Sequence, residues 1–155
     1  MNTNQLQKIL QNDVHTRDVF AGVYPRDRMP RIVKNYPRAY VCNTDPHDQD
    51  GEHWVAMYLD RDGTGEYFDA YGLPPMHARF VNFLNKNCAK SWTHNDQRLQ
   101  GLTSRVCGQY CLFYLLHRCR GYPMMAIAQM FGPDWEDNDF LVHEFIVDYC
   151  TYTNC

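Results

Sequence analysis

The segment from Cys107 to Cys119 constrains this chain more than any other. It reads Cys-Gly-Gln-Tyr-Cys-Leu-Phe-Tyr-Leu-Leu-His-Arg-Cys, apolar almost throughout, with Gly121 and Pro123 behind it as a stop signal. A helix that is apolar on every side is buried on every side, so the remaining chain must supply layers that cover it. With 155 residues it is long enough to do so, because folding at this length buries about 70% of the unfolded surface. An apolar fraction of 45%, with 21% charged and 14% aromatic residues, excludes a disordered, collagenous, coiled-coil or solenoid chain. The expectation is one domain spanning residues 1–155.

Thr3 to Gln11 predicts a short amphipathic helix, with Leu6, Ile9 and Leu10 on one side. Residues 20–37, rich in Pro, Arg and Gly, read as an irregular connector. Arg38 to Asn43 predicts a strand. Glu52 to Leu59 alternates His53, Val55 and Met57 against Trp54, Ala56 and Tyr58, which is strand periodicity. Asp60 to Gly65 is a turn and Glu66 to Tyr71 the returning strand, so the two form a hairpin. Further on, a helix is predicted over Met76 to Lys86 with Pro75 at its start, a strand over Ser91 to Leu99, and helices over Tyr122 to Met130 and Asp139 to Tyr149. The class is α+β: a small mixed or antiparallel sheet clasped by helices, with the buried central helix carrying Cys107.

The net charge of −3 argues against nucleic acid as the main ligand. The local basic run Arg26, Arg28, Arg31, Lys34 and Arg38 reads as a solvated face. No stretch approaches the roughly 20 apolar residues of a membrane span, and Met1-Asn2-Thr3-Asn4-Gln5 is no signal peptide. Seven cysteines, an odd number without close metal-ligand pairs, point to a reducing intracellular compartment and to mostly buried small thiols.

One thiol stands apart. Cys107 opens the apolar helix, where unpaired N–H groups favour thiolate, and Gly108 behind it removes a Cβ where a substrate carbonyl must approach. His53 lies on one hairpin strand and Asp69 on the other. Side chains on one face of such a pair stand about 5 Å apart, so Asp69 can fix the His53 ring. Gln100-Gly101, seven residues before Cys107, supplies a loop amide able to reach an oxyanion beside the Cys107 N–H. Taken singly, each has a structural explanation as core packing, strand end or cap. Their joint pattern is what points to nucleophilic catalysis.

Gly51-Glu-His53-Trp54, Tyr67-Phe68-Asp69-Ala-Tyr71-Gly72, Gln100-Gly101 and Val106-Cys107-Gly108 resemble the successive motifs of the adenain family. These are adenovirus maturation proteases, relatives of the proteases that process ubiquitin-like proteins. The order His, acid, Gln, Cys is that family's order. Phe20-Ala-Gly22-Val-Tyr24 with Arg28 and Pro30 resembles the family's connector, and the likeness covers roughly residues 5–120. The resemblance implies Cys107 as nucleophile, His53 as general base and later acid, Asp69 as its orienter and Gln100 as the side-chain half of the oxyanion hole. Trp54 and Gly108 would wall the substrate channel, although Trp54 reads equally as core. No metal or organic cofactor is implied for the chemistry.

The implied partner is a protein or peptide with Gly before the scissile bond, in viral or mobile-element structural precursors. Ubiquitin-like conjugates of a host are the alternative substrate. The expectation is a monomer in the nucleus or cytoplasm of a host cell, with packaging in a virion as a further place, and no membrane partner. Adenain uses DNA and a disulfide-linked viral peptide as activators; the acidic balance here argues against DNA, and Cys88 lies one residue from the thiol that would bond a peptide. Cys88 otherwise reads as a helix-end thiol. A rival from another class is a binding module stabilised by a metal on Cys107, Cys111, His117 and Cys119, though structural zinc draws its ligands from knuckles rather than from one apolar helix.

Overall fold

The computed structural model describes residues 1–155. Five strands, β1 (Phe20–Pro25), β2 (Arg38–Asn43), β3 (Trp54–Leu59), β4 (Thr64–Phe68) and β5 (Ser91–His94), form one sheet in sequence order. β2, β3 and β4 pair antiparallel, while each edge strand is parallel to its neighbour. The sheet is therefore mixed. The helices are α1 (Thr3–Asn12), α2 (Ala78–Asn87), α3 (Cys107–Arg118), α4 (Met124–Ala128) and α5 (Trp135–Thr153). No helix is long and apolar enough to cross a membrane.

Alternation along the central strands divides the core into two layers. Ala39, Val41, Ala56, Tyr58 and Phe68 face α1, α3, α4 and α5, forming the larger cluster. Tyr40, Cys42, Val55, Met57, Leu59 and Tyr67 face Phe80, Phe83 and Leu84 of α2 on the other side. Strands covered on both faces carry no polar side, which explains their near-continuous apolar sequence. In α3 every residue is buried except Gln109, His117 and Arg118, so it is the central helix that its composition demanded. Its C-terminal end is tied to the sheet by Arg118, which donates to Glu66 at 2.6 Å and lies 4.1 Å over the Tyr58 ring.

Several boundaries differ from the sequence reading. The connector over residues 20–37 contains β1, whose pairing with β2 shifts register between Phe20 and Gly22. Gly22 and Pro25 read as breakers, yet Pro closes an edge strand and Gly22, at φ 149°, lies at the register shift. β5 ends at His94, because the following residues turn to serve Asp69 and Gln100 through side chains rather than a ladder. α2 starts at Ala78 with His77 as its cap, so Pro74 and Pro75 precede it rather than occupy its first turn. α5 begins at Trp135, four residues earlier than its apolar pattern, because Asp134 accepts from the N–H groups of Glu136 and Asp137. α4 is shorter than expected.

Candidate active site

Val106 caps α3 without a side-chain hydrogen bond, leaving the first N–H groups of the helix without intrahelical partners. Cys107 sits there, 7% exposed. Burial by itself pushes its thiol up. Hydrogen bonding with His53, the Trp54 N–H, the charge of His53 and the Gly108 N–H together outweigh burial and hold it below its ordinary value. The other cysteines in the core behave oppositely: burial raises Cys88 and Cys119 to about 11, and lifts Cys42 and Cys111 further. Cys88 packs against Gly65, where no side chain fits, and is a structural thiol at the end of α2.

His53 immediately precedes β3, and Asp69 immediately follows β4, so both stand one residue outside the hairpin on which they were expected. Continuing the observed register, in which Ala56 pairs with Phe68, sets His53 opposite Tyr71 rather than Asp69. The two rings stack at 4.8 Å and 27°. Asp69 is then the diagonal neighbour, still within reach. His53 Nε2 donates to Asp69 Oδ1 at 2.8 Å, with the side chains 16% and 7% exposed, which leaves Nδ1 for Cys107. Burial lowers the His53 pKa, but the Asp69 hydrogen bond, the Cys107 hydrogen bond and both negative charges reverse this and raise it to about 9. A thiol pushed down and an imidazole pushed up, each by the other's charge, favour a thiolate–imidazolium pair.

Gln100 is 1% exposed and lines the same cleft as Cys107, a hollow of about 580 Å³. Its amide does not point freely at the nucleophile. Nε2 donates to the carbonyl and hydroxyl of Ser104 at 3.1 and 3.0 Å, while Oε1 is buried without a partner. Trp54 opens β3 and contributes in two ways: its side chain packs on the larger core cluster and lines the cleft, and its N–H supports the thiolate. This residue therefore stands at the border between core and cleft.

Gly108 also lines the cleft, under the N-terminal segment of the chain. A Cβ there would stand 3.3 Å from Met1 Cβ and 3.5 Å from Leu6 Cδ2. The start of α3 thus packs closely under the N-terminal segment, and Met1 forms part of the cleft wall beside Gly108.

Two supports escaped the sequence reading. Tyr71 stacks on His53 and donates its N–H to Asp69 Oδ1 at 2.8 Å. Asp139, at the start of α5, accepts from the Gly101 N–H at 3.2 Å and the Tyr110 hydroxyl at 2.9 Å, pinning the Gln100 loop. Tyr71 lay inside the quoted motif; nothing local marks Asp139. The rival metal set does not assemble. Cys107 faces His53, His117 Nδ1 donates to the Phe113 carbonyl at 2.7 Å, and no three His, Cys, Asp or Glu side chains converge to hold an ion.

No family model matches the chain. A protease of ovine adenovirus D serotype 7 is 26% identical over 121 residues, which are 70% of this chain and 60% of that protein. The crystal structure of the ASFV protease superposes with a TM-score of 0.50 at 26% identity, covering 68% of this chain and 43% of the other. ChlaDub1 from Chlamydia trachomatis shares the fold at a TM-score of 0.55 and 15% identity, covering 76% of this chain and 60% of its own. The chain thus spans less than two thirds of the length of each. In sequence and in fold the chain is similar to the adenovirus and ASFV proteases, and it shares the fold of ChlaDub1.

Proposed function

We propose that the chain is a cysteine protease of the adenain type that cuts on the carboxyl side of glycine. The observation that carries this reading is His53, hydrogen-bonded to Asp69 at 2.8 Å, beside Cys107 in one cleft, with the thiol shifted down and the imidazole up. The Cys107 thiolate attacks the scissile carbonyl carbon, and the π electrons move onto oxygen. That oxyanion meets the free N–H groups at the start of α3, with Gln100 completing the hole once its amide releases Ser104. The imidazolium of His53 protonates the departing amine, and the C–N bond breaks to leave a thioester on Cys107. Water, losing its proton to the now neutral His53, attacks the thioester; the acid product leaves and the thiolate–imidazolium pair is restored.

Specificity follows from the walls. Trp54, Met1 and Gly108 line the cleft with Cys107, and in this reading a Cβ on the residue before the scissile bond meets these walls where Gly passes. The substrates in this reading are structural precursors of a virus or mobile element, cut in Gly-Gly or Gly-X contexts with a larger apolar residue upstream. Replacing that Gly by Ala in a cleaved peptide is expected to lower kcat/KM by about 10-fold or more. Equal cleavage of Ala, Leu or Arg peptides overturns the Gly preference. Turnover of ubiquitin-like conjugates, with viral precursors left intact, moves the substrate to the other class.

A further inference from the structure

The pairing of β4 with β5 stops at Tyr67 and His94, so Asp69 needs partners from elsewhere for its backbone. Asn95, 2% exposed, supplies both. Its Oδ1 accepts from the Asp69 N–H at 2.9 Å and its Nδ2 donates to the Asp69 carbonyl at 2.6 Å. This side chain imitates one more rung of the sheet where the sheet has ended. The adjoining carbonyl, that of Ala70, accepts from the N–H groups of Leu99 and Gln100 at 2.8 and 3.0 Å. Residues 69–71 thus carry the orienting carboxylate on one side and the Gln100 loop on the other.

We propose that Asn95 is the positioning residue of this site: its two bonds to the Asp69 backbone aim the carboxylate at His53 and, through Ala70, seat the Gln100 loop beside Cys107. A one-residue drift of that junction would put the carboxylate out of line with Nε2, since Asp69 reaches His53 only along the diagonal of the hairpin. The amide is suited to the task because it offers one acceptor and one donor at the spacing of a peptide group. Asp lacks the donor, Leu lacks both, and Ser carries both on one oxygen, without that spacing.

The inference rests on the cysteine-protease reading, and its test is read without a substrate so that the two can fail separately. The titratable groups facing His53 are Asp69, Cys107 and Tyr71, with Asp50, Glu52 and Arg105 lining the cleft. The measurements are the NMR titration of the His53 ring and the pH dependence of Cys107 alkylation by iodoacetamide. Asn95→Ala is expected to lower the upper titration of the pair by about one unit, because the Asp69 charge no longer lines up with the ring. Any peptidase activity should fall about 10²-fold, as for a misplacement of order 1 Å.

Asn87 is the control. It is a buried amide that binds Val33, Arg31 and Phe83 on the other face of the sheet, and Asn87→Ala is expected to lower thermal stability without moving the titration. In an Asp69→Asn background, Asn95→Ala should shift the titration no further. An unchanged titration in Asn95→Ala overturns the proposal, as does an additive effect in the double variant. Should Asn95→Ala fail to fold, Asn95→Ser, which adds no charge and cannot span both backbone groups, carries the same test.

Discussion

Asp69→Asn separates charge from orientation at this site. In serine proteases the equivalent change costs about 10⁴-fold, because the new amide holds the wrong imidazole tautomer. Here Asp69 Oδ1 accepts from two donors, Nε2 of His53 at 2.8 Å and the Tyr71 N–H at 2.8 Å. An asparagine must keep its oxygen at that spot to satisfy Tyr71, so it still accepts from Nε2–H and the tautomer survives. What is lost is the negative charge, which helps to hold His53 at about 9. Removing an opposite charge at hydrogen-bond distance lowers such a pKa by about 2 units, to about 7. At pH 7 the imidazolium then falls from nearly full occupancy to about half.

With some loss of transition-state stabilisation added, the expected cost is about 10²-fold at pH 7, well short of the ~10⁴-fold for a lost tautomer. The sign is the stronger test. The active pair needs Cys107 deprotonated and His53 protonated, so its window closes on the alkaline side as pH passes the His53 value. Asp69→Asn should pull that alkaline limb down by about 2 units and leave the acid limb in place. The assay is kcat/KM against pH on a Gly-containing peptide, paralleled by iodoacetamide alkylation of Cys107. A loss of ~10⁴-fold that is flat across pH would refute the argument that Tyr71 preserves the tautomer. An unshifted alkaline limb would refute the role of the charge.

Cys107→Ala is expected to abolish hydrolysis with the fold intact, and a Gly-ending electrophile should label Cys107 before Cys42, Cys88, Cys111 or Cys119, read by mass spectrometry of peptides; even labelling refutes the assignment. Gln100→Ala is expected to reduce kcat by roughly 10²-fold to 10³-fold with KM little changed, with Gln97→Ala as control. A crippled Gln97 variant beside a normal Gln100 variant would transfer the role. Asp13, held at about 2 by hydrogen bonds from Arg120, Thr16 and Tyr149 that overcome its burial, joins α1 to the ends of α3 and α5. Its folded pKa lies below the unfolded value, so its contribution is complete above pH about 4 and is lost as pH falls toward 2. Urea melts should show about 2 kcal/mol of stability disappearing over that range, and Asp13→Asn should remove the dependence.

Much of this architecture was legible in local chemistry. An apolar run with Gly and Pro behind it reads as a buried helix, and β3 and β4 are marked by short apolar and aromatic runs on either side of an Asp-Gly turn. The residue types at 53, 69, 100 and 107 likewise made a nucleophilic site readable, because each needs a particular functional group that few other residues supply. β1 was hidden because a parallel edge strand is defined by its neighbour across a long connection, and its Gly and Pro read as breakers.

The geometry of the site belonged to the tertiary structure alone. Whether Asp69 lies opposite His53 or diagonal to it depends on hairpin register, which no residue type encodes. Gly108 meets Leu6 of α1 over the start of α3, a contact across more than a hundred residues. Asn95 and Asp139 carry no motif, and Tyr71 lay inside one that did not mark its role, since their work is done through backbone groups that only the folded chain brings within hydrogen-bond distance. Sequence determined which groups could react; packing at the ends of β4, β5 and α3 decided where they point, because the functional side chains lie just beyond the regular elements, where periodicity stops and long-range contacts take over.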